Sequence, residues 1–364
     1  MKYDAILLTS FGGPEKADEV MPYLERVTAG RGIPRERLEE VSHHYLALGG
    51  VSPINQQNRE LQSHLREELK RRNIDIPLYL GNRNSEPFFA DVLRGIYADG
   101  HRRVLSLVTS AYSSYSGCRQ YRENLAQALV DANLEGKMKI DKVRHYFDHP
   151  GFVLPFADGL VQGLKILIDE GFVSSEIEIF FTTHSVPIAM AQTSGPESMQ
   201  KSFVDGVYVA QHNAAAHAIL EIASKEVAFP IPDWSLVYQS RSGAPHVPWL
   251  EPDIGDSLRD AAGTGIKAVV VIPIGFVSDH IEVMWDLDNE AKAVADEENL
   301  RFIRVGTPGN SEEFVSGLVD LVQERLSNSE RKALSPLGPW ADFCSVGCCP
   351  NSRHQLPAVA ELPN

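Results

Sequence analysis

Basic residues are in short supply: 34 Lys and Arg stand against 49 Asp and Glu, giving a formal charge of -15 at neutral pH. A chain with this balance lacks the clustered cations that a nucleic-acid backbone requires. The same deficit argues against docking on an anionic membrane surface. Long apolar runs are also missing. The longest, around "AVVVIPIGFV", falls well short of the ~20 residues that span a bilayer. The opening "MKYDAILLTSFGG" has only a few apolar residues beside Asp4, too few for a secretory apolar region. The chain therefore reads as cytoplasmic. Cysteine is scarce as well: there are four, three of them crowded into "CSVGCC" at 344–349. That is no disulfide framework, and in a reducing compartment it points to metal chemistry or reactive thiols.

What remains is ordinary globular composition, 43% hydrophobic and 23% charged, at a length of 364 residues that suits about two domains or one domain of two similar halves. Strand signals recur as short apolar runs closed by small residues, Pro or Gly. They are "YDAILLTSFGGP", "IPLYLGNRNSEP" and "HRRVLSLVTSAYSSYS", then "EIEIFFTTHSVP", "DWSLVYQSRSGAP" and "IKAVVVIPIGFVSDH". Helical patterns lie between them, among them "QNRELQSHLREELKRRN" and "FVLPFADGLVQGLKILIDEG". Alternating strands and helices imply βαβ units with parallel sheets. The order repeats, so the expected fold is α/β: two similar doubly wound parallel-sheet halves with a cleft between them. The expected division is 1–155, 156–327 and a Cys-containing extension over 328–364, where the periodic pattern fails and a tail is expected that is mobile unless a metal orders it.

"FGGP" at 11–14 lacks both the dinucleotide spacing and the Gly-Lys-Ser/Thr signature, so it reads as a tight turn and no nucleotide cofactor is expected. His184, in "THSVP", follows a strand and precedes Pro187. It is either a histidine satisfied by loop hydrogen bonds or one placed to handle a proton or metal, since strand ends carry function disproportionately. If "GFVSDHIEVMWDLDNEAK" is helical from about 279, then Glu282, Asp286 and Glu290 fall at i, i+4 and i+8 on one face. A solvated acidic face would interleave Lys or Arg, yet none occurs between 268 and 291. The alternative is a ladder of hard oxygen ligands that leads a divalent cation inward. "SAYSSYSGCRQYREN" could supply hydroxyls and a tyrosine to a flat aromatic ligand bearing carboxylates. "ALGGVSPINQQN" places Ser52 at a helix opening suited to a carboxylate.

Together, "LLTSFGGP", "GGVSPIN", "SAYSSYSGCRQYREN", "THSVP" and "GFVSDHIEVMWDLDNEAK" resemble the ferrochelatase family, most closely the soluble actinobacterial type that acts on coproporphyrin III. The five stretches are in family order and cover about residues 3–325. The resemblance implies insertion of Fe2+ into coproporphyrin III in haem biosynthesis, with His184 and Glu282 facing each other across the porphyrin and forming the metal-insertion site. Asp286 and Glu290 would continue the metal path. Ser52, Tyr121 and Arg31 match porphyrin-contacting positions. Some relatives carry a metal-contacting tyrosine where this chain has Phe11, and Tyr121 is the available substitute. The implied partners are coproporphyrin III and Fe2+, with transient contacts to other haem-pathway enzymes and neither nucleic acid nor membrane. Members that hold a [2Fe–2S] cluster use three C-terminal cysteines and one internal cysteine. Cys344, Cys348 and Cys349 match the first three, but the internal position holds Pro155. Cys118 would have to leave the pocket region to replace it, and the adjacent Cys348 and Cys349 are expected to point apart. His354 and Asp342 are the non-cysteine candidates. Two other functions stay open: a ferrochelatase acting on protoporphyrin IX, and a non-catalytic haem or porphyrin carrier, which would need the pocket but not the acidic ladder.

Overall fold

The computed structural model describes residues 3–30, 32–243, 246–327, 329–351 and 356–362. Eight strands form two four-stranded parallel sheets. The first contains β1 (Ala5–Ser10), β2 (Leu78–Asn82), β3 (Arg103–Val108) and β4 (Lys139–Lys142), in the order β2-β1-β3-β4. The second contains β5 (Ile177–His184), β6 (Asp233–Gln239), β7 (Ala268–Ile272) and β8 (Arg301–Arg304), in the order β6-β5-β7-β8. The two halves therefore share one strand order. In each, the chain reverses its direction of travel across the sheet beside the first strand, and ligands of such folds bind outside the carboxyl ends of the strands at that point.

The strands are apolar throughout because both faces of each sheet are covered. Alternate residues of β1 divide between two cores: Ile6 and Leu8 face one, Ala5 and Leu7 the other. In β7, Val270 and Ile272 join the same central core as Ile6 and Leu8, while Val269 and Val271 face outward into a third cluster. The central core thus takes one face of each sheet. Helix Pro150–Asp169 supplies Phe152, Phe156, Leu160 and Leu164 to it, all 0–1% exposed. That helix is long and apolar enough to cross a membrane on length and composition, but here its apolar residues are buried in the core between the sheets. It also carries the boundary expected at 155/156, which falls inside its first turns.

Helix Glu312–Ser327 belongs to the second half by sequence, yet its polar residues reach the first. Arg72, at the end of helix Ile54–Arg71, donates to Asp320 Oδ1 at 2.5 Å and to Ser316 O at 3.0 Å. Arg144, after β4, makes a two-pronged bond to Glu324 at 2.8 and 2.9 Å and donates to Lys332 O at 2.7 Å. The Arg144 side chain is 0% exposed and that of Glu324 2%.

The described residues of the tail pack against the rest of the chain. Trp340, Cys348, Cys349 and Ala358 are buried, and Val359 and Leu362 pack on the outer core of the first half. Arg119 binds Glu361 at 3.1 Å and donates to Leu356 O at 2.9 Å. Apolar anchors at both ends of the tail hold it down where no periodic pattern announces structure.

The Arg144–Glu324 pair carries a direct stability test. Removing one partner of a buried ion pair strands the other charge without water, at a cost of about 3–5 kcal/mol, whereas replacing both by apolar residues is far less costly. Urea unfolding of Arg144→Ala should show a loss of that size. The double variant Arg144→Met/Glu324→Leu should recover most of it.

Candidate active site

β5 ends at His184 and pairs there with Gln239, the last residue of β6. The loop after β7 folds over the same strand end. Gly275 N donates to Thr182 O at 3.1 Å, and a Cβ on Gly275 would lie 2.8 Å from Thr183 Cα and closer still to its hydroxyl. Only glycine permits this approach. It brings Asp279, His280 and Glu282 to the carboxyl end of β5, where His184 sits.

His184 is half-buried. Its Nδ1 lies against Ser185 O, and its carbonyl accepts from Tyr208 Oη at 2.9 Å. A carbonyl can only accept, so Nδ1 carries the proton in the neutral ring and Nε2 keeps its lone pair. One ring nitrogen is therefore satisfied by the loop, and the other keeps its lone pair. His280 joins the group. Burial lowers its pKa, Glu282 raises it and His184 lowers it further, so all three lie within electrostatic reach of one another.

The acidic ladder is present with an altered backbone. The segment is α-helical only over Ile281–Val283 and then widens to a π-helix over Met284–Ala291. Such i→i+5 turns are rare and recur at functional sites. Glu282 and Glu290 are exposed and Asp286 is half-buried between them. Among the described residues none of the three makes an ion pair, while the nearby cation Arg304 goes to Asp279 and Asp288. Asp286 instead accepts from the hydroxyl of Ser240 and from Gln239 Nε2 at 3.3 Å. Gln239 is itself fixed by Thr182 Oγ1 at 2.9 Å. Ser240 has φ +61°, a left-handed backbone that turns the chain toward the ladder as β6 ends. Burial, opposed by the Ser240 bond and reinforced by the charges of Glu282 and Glu290, pushes Asp286 up to about 7.

Helices Val20–Val27 and Arg35–Ala47 wall the site from the first half. Ile281 packs among Val20, Tyr23, Leu24, Leu38 and Tyr45. His44 stacks on Trp285 at 4.4 Å, and Trp285 Nε1 donates to Glu290 at 2.8 Å. Burial raises the phenols of Tyr23 and Tyr45, and the charge of Glu282 adds to both. These tyrosines, with His280, Gln239 and Ser240, are the site members that the sequence did not single out.

Arg83 lies close to Tyr23, each shifting the other's pKa. Its guanidinium sits 5.0 Å from the Phe11 ring and 4.7 Å from the Tyr121 ring, and its Nε is buried with no hydrogen-bond partner. Tyr121 is 4% exposed. Ser52 is buried beside Gly13, where a Cβ would come within 2.6 Å. The helix it was expected to open begins at Ile54, with Pro53 as its cap residue. Arg31 lies outside the described residues.

The tail thiols depart from expectation. Cys118 Sγ lies 3.9 Å from Cys344 Sγ, and Cys348 Sγ lies 3.7 Å from Cys349 Sγ. Cys118 does not leave its segment, because the tail comes to it. The adjacent Cys348 and Cys349 point the same way because Cys349 has φ +54°. Both separations match the ~3.8 Å between two thiolates on one tetrahedral ion with metal–sulfur bonds of about 2.3 Å. Two such pairs fit the four-thiolate donor set of a [2Fe–2S] cluster. Pro155 is remote in kind, an interior residue of a helix. Asp342 is committed to Arg325 and Arg331 at 3.4 and 3.3 Å, and His354 lies outside the described residues. The histidine that does approach is His145: its ligand atom and those of Cys118 and Cys344 all lie within 4.8 Å of one another.

The pH dependence of stability follows from Asp286. Its folded-state pKa is raised to about 7, whereas an unfolded aspartate titrates near ~3.9. The native state therefore binds more protons between those values, and stability falls as pH rises through that window. Asp286→Asn should unfold with a flatter dependence from about pH 5 to pH 8 and should melt above the wild type at the upper end. An unchanged slope would mean that another group is responsible.

The sequence has named relatives. A protein of Leifsonia xyli named coproporphyrin III ferrochelatase is 50% identical, over 99% of this chain and 94% of its own. One of the same name from Streptomyces griseus is 51% identical, over 98% and 96%. A protein of Rhodopirellula baltica named ferrochelatase is 42% identical, over 99% and 97%. Among solved structures, SirB from Bacillus subtilis with Fe3+ superposes with a TM-score of 0.49 at 10% identity, covering 89% of this chain and 96% of that one. The ferrochelatase family model matches residues 3–326, and on that match, with relatives at about half identity along nearly the whole chain, the protein belongs to the ferrochelatase family.

Proposed function

We propose that this chain inserts Fe2+ into coproporphyrin III, giving Fe-coproporphyrin III and two protons, as a step of haem biosynthesis. The observation that carries the choice of porphyrin is the identity of 50% and 51%, along nearly full length, to relatives named for that substrate. The reaction takes place in the cytoplasm, where a porphyrin with four propionates needs no membrane to deliver it. Coproporphyrin III and Fe2+ are the partners, with brief contacts to neighbouring enzymes of the pathway and none to nucleic acid.

The chemistry assigns the residues. A porphyrin must lose two N–H protons, and the lone pair of His184 Nε2 is a base placed to accept one. Glu282 stands beside it as the innermost carboxylate of the cation's path. Asp286 and Glu290 lie further along the ladder and hand Fe2+ inward. A divalent ion arriving at Asp286 displaces the proton that the empty site holds there. Ser52, Arg31 and Tyr121 contact the porphyrin.

The resident cofactor in this reading is a [2Fe–2S] cluster on the tail cysteines Cys344, Cys348 and Cys349. Such a cluster, when bound, supplies a one-electron redox centre and a cross-link between the chain segments that ligate it.

Anaerobic assays with Fe2+ test the function, with metal-free coproporphyrin III and protoporphyrin IX compared side by side. Repeated turnover with coproporphyrin is expected. Preference for protoporphyrin would move the substrate, and binding without turnover would leave a carrier. His184→Ala should abolish insertion while visible titration still reports porphyrin binding. Glu282→Gln should slow insertion strongly, and Asp286→Asn and Glu290→Gln should act more mildly, mainly on the Fe2+ dependence. Equal effects from all three carboxylates would contradict that grading.

A further inference from the structure

Strand β2 is an outer strand of the first sheet, bonded to β1 on one side only. Such an edge presents a row of unpaired N–H and C=O groups, which soluble proteins normally close off. Pro77 O accepts from Ile6 N at 2.9 Å, and Arg83 N donates to Ser10 O at 3.0 Å. Backbone groups alternate sides along a strand, so Pro77, Tyr79, Gly81 and Arg83 turn toward β1 while Leu78, Leu80 and Asn82 turn outward. The chain itself closes two of these three outward rungs. Leu78 O accepts from Gln62 Nε2 at 3.1 Å and from Arg66 at 2.8 Å, and Asn82 N donates to Pro87 O at 2.8 Å. Leu80, between them, has no such closure among the described residues. It lines a groove of about 350 Å³ between the strand and helix Ile54–Arg71, a volume within the ~300–1,000 Å³ of ligand sites. Asn55, Arg59, Gln62 and Arg66 recur at helical spacing and form its polar wall. Arg66 is exposed and forms no ion pair among the described residues, whereas Arg59 is already bonded to Glu15 and Gln56. Among the described lining residues Glu86 is the only acid, so the groove is locally basic in a protein of net charge -15. At its far end Asn82, 2% exposed, has a buried Oδ1 with no hydrogen-bond partner.

We propose that this groove binds the carboxyl-terminal residues of a partner polypeptide, which add to β2 as a short antiparallel strand. The penultimate residue pairs with Leu80, accepting from its N–H and donating to its carbonyl. The terminal carboxylate then lies one residue further on, opposite Leu78, where the Arg66 guanidinium receives it in a charge-assisted bond. Charge fixes the direction. A parallel peptide would carry its carboxylate to the Asn82 end, against an acceptor that already lacks a donor and beside the acid Glu86. The closed rungs on either side restrict the contact to about two residues, so main-chain bonds and the one carboxylate supply most of the affinity. Leu80 and Pro87 give the groove apolar surface, which suits small apolar side chains at the last two positions. Neither Arg66 nor Leu80 belongs to the candidate active site, so this docking is separable from metal insertion.

The test uses the full chain and a fluorescein-labelled pool of short peptides. The pool is randomised to Ala, Val and Leu at the last two positions, with Gly and Ser before them, and is made both as the free acid and as the carboxyl-terminal amide. Fluorescence anisotropy should show saturable binding of the acid pool, with the amide weaker by about tenfold or more because the charge-assisted bond is lost. Arg66→Ala should weaken the acid pool by a similar factor. Leu80→Pro removes the outward N–H while leaving the bonds to β1, as an edge position allows, and should abolish binding. Arg66→Ala, at an exposed position, keeps the test informative if the proline variant folds poorly. Absence of saturable binding overturns the proposal, as does equal affinity for acid and amide. Unchanged binding to Arg66→Ala places the peptide elsewhere and overturns the assignment of the groove. Displacement of the pool by an equal concentration of acetate would reveal an anion site that needs no peptide rung, and also overturns it.

Discussion

A carboxyl group kept away from water between two like charges organises the cleft. Asp286 would ionise freely on an open helix face. Here the left-handed turn at Ser240 and the amide of Gln239 close over it, and Glu282 and Glu290 flank it without cations of their own. Such an arrangement costs stability. The remainder of the site serves to hold it. Gly275 lets the post-β7 loop reach β5, Thr182 orients Gln239, and the widened helix sets the spacing of the acids. A well-neutralised surface helix would need none of these supports.

The same reasoning explains why the halves are tied so firmly at a distance from the cleft. A site assembled from both halves is only as well placed as the joint between them. The joint is a continuous apolar core filled by helix Pro150–Asp169, locked at its rim by the Arg144–Glu324 and Arg72–Asp320 pairs. Closer to the cleft the contacts are lighter: His44 on Trp285, and Gln57 to Asp279 O at 2.9 Å. Rigidity sits in the core, and the cleft walls that must admit a flat ring are held by stacking and single hydrogen bonds, the kind of contact that opens locally at low cost.

The parts of this design that depend on local pattern were legible in the sequence. The long inner strands show as apolar runs because both their faces are buried, and the motif residues at their carboxyl ends could be named individually. β4 and β8 were not legible. They are four-residue edge strands, "KIDK" and "RFIR", in which charged residues flank the apolar positions, as edges require. The π-helix escaped notice because its acidic spacing is the same in an α-helix. Tyr23, Tyr45, Gln239 and Ser240 matter only through tertiary contacts, and no spacing rule points to them. The two thiol pairs escaped notice for a related reason: sequence distance separated Cys118 from the tail, and Cys348 and Cys349, expected to diverge, lie 3.7 Å apart, with φ positive at Cys349.

Charge sets one more constraint. A protein of net charge -15 attracts cations and repels anions at long range. Salt screens both effects beyond about 8–10 Å, so close to the cleft the local arrangement of charges decides. The local field there differs from the average. Arg83 lies between Phe11 and Tyr121 with an unpartnered nitrogen, and Arg26 donates to Asn84 O at 3.0 Å on the same side. The acids lie along the π-helix. The acidic surplus raises the local concentration of cations around the ladder, which a neutral protein would not do.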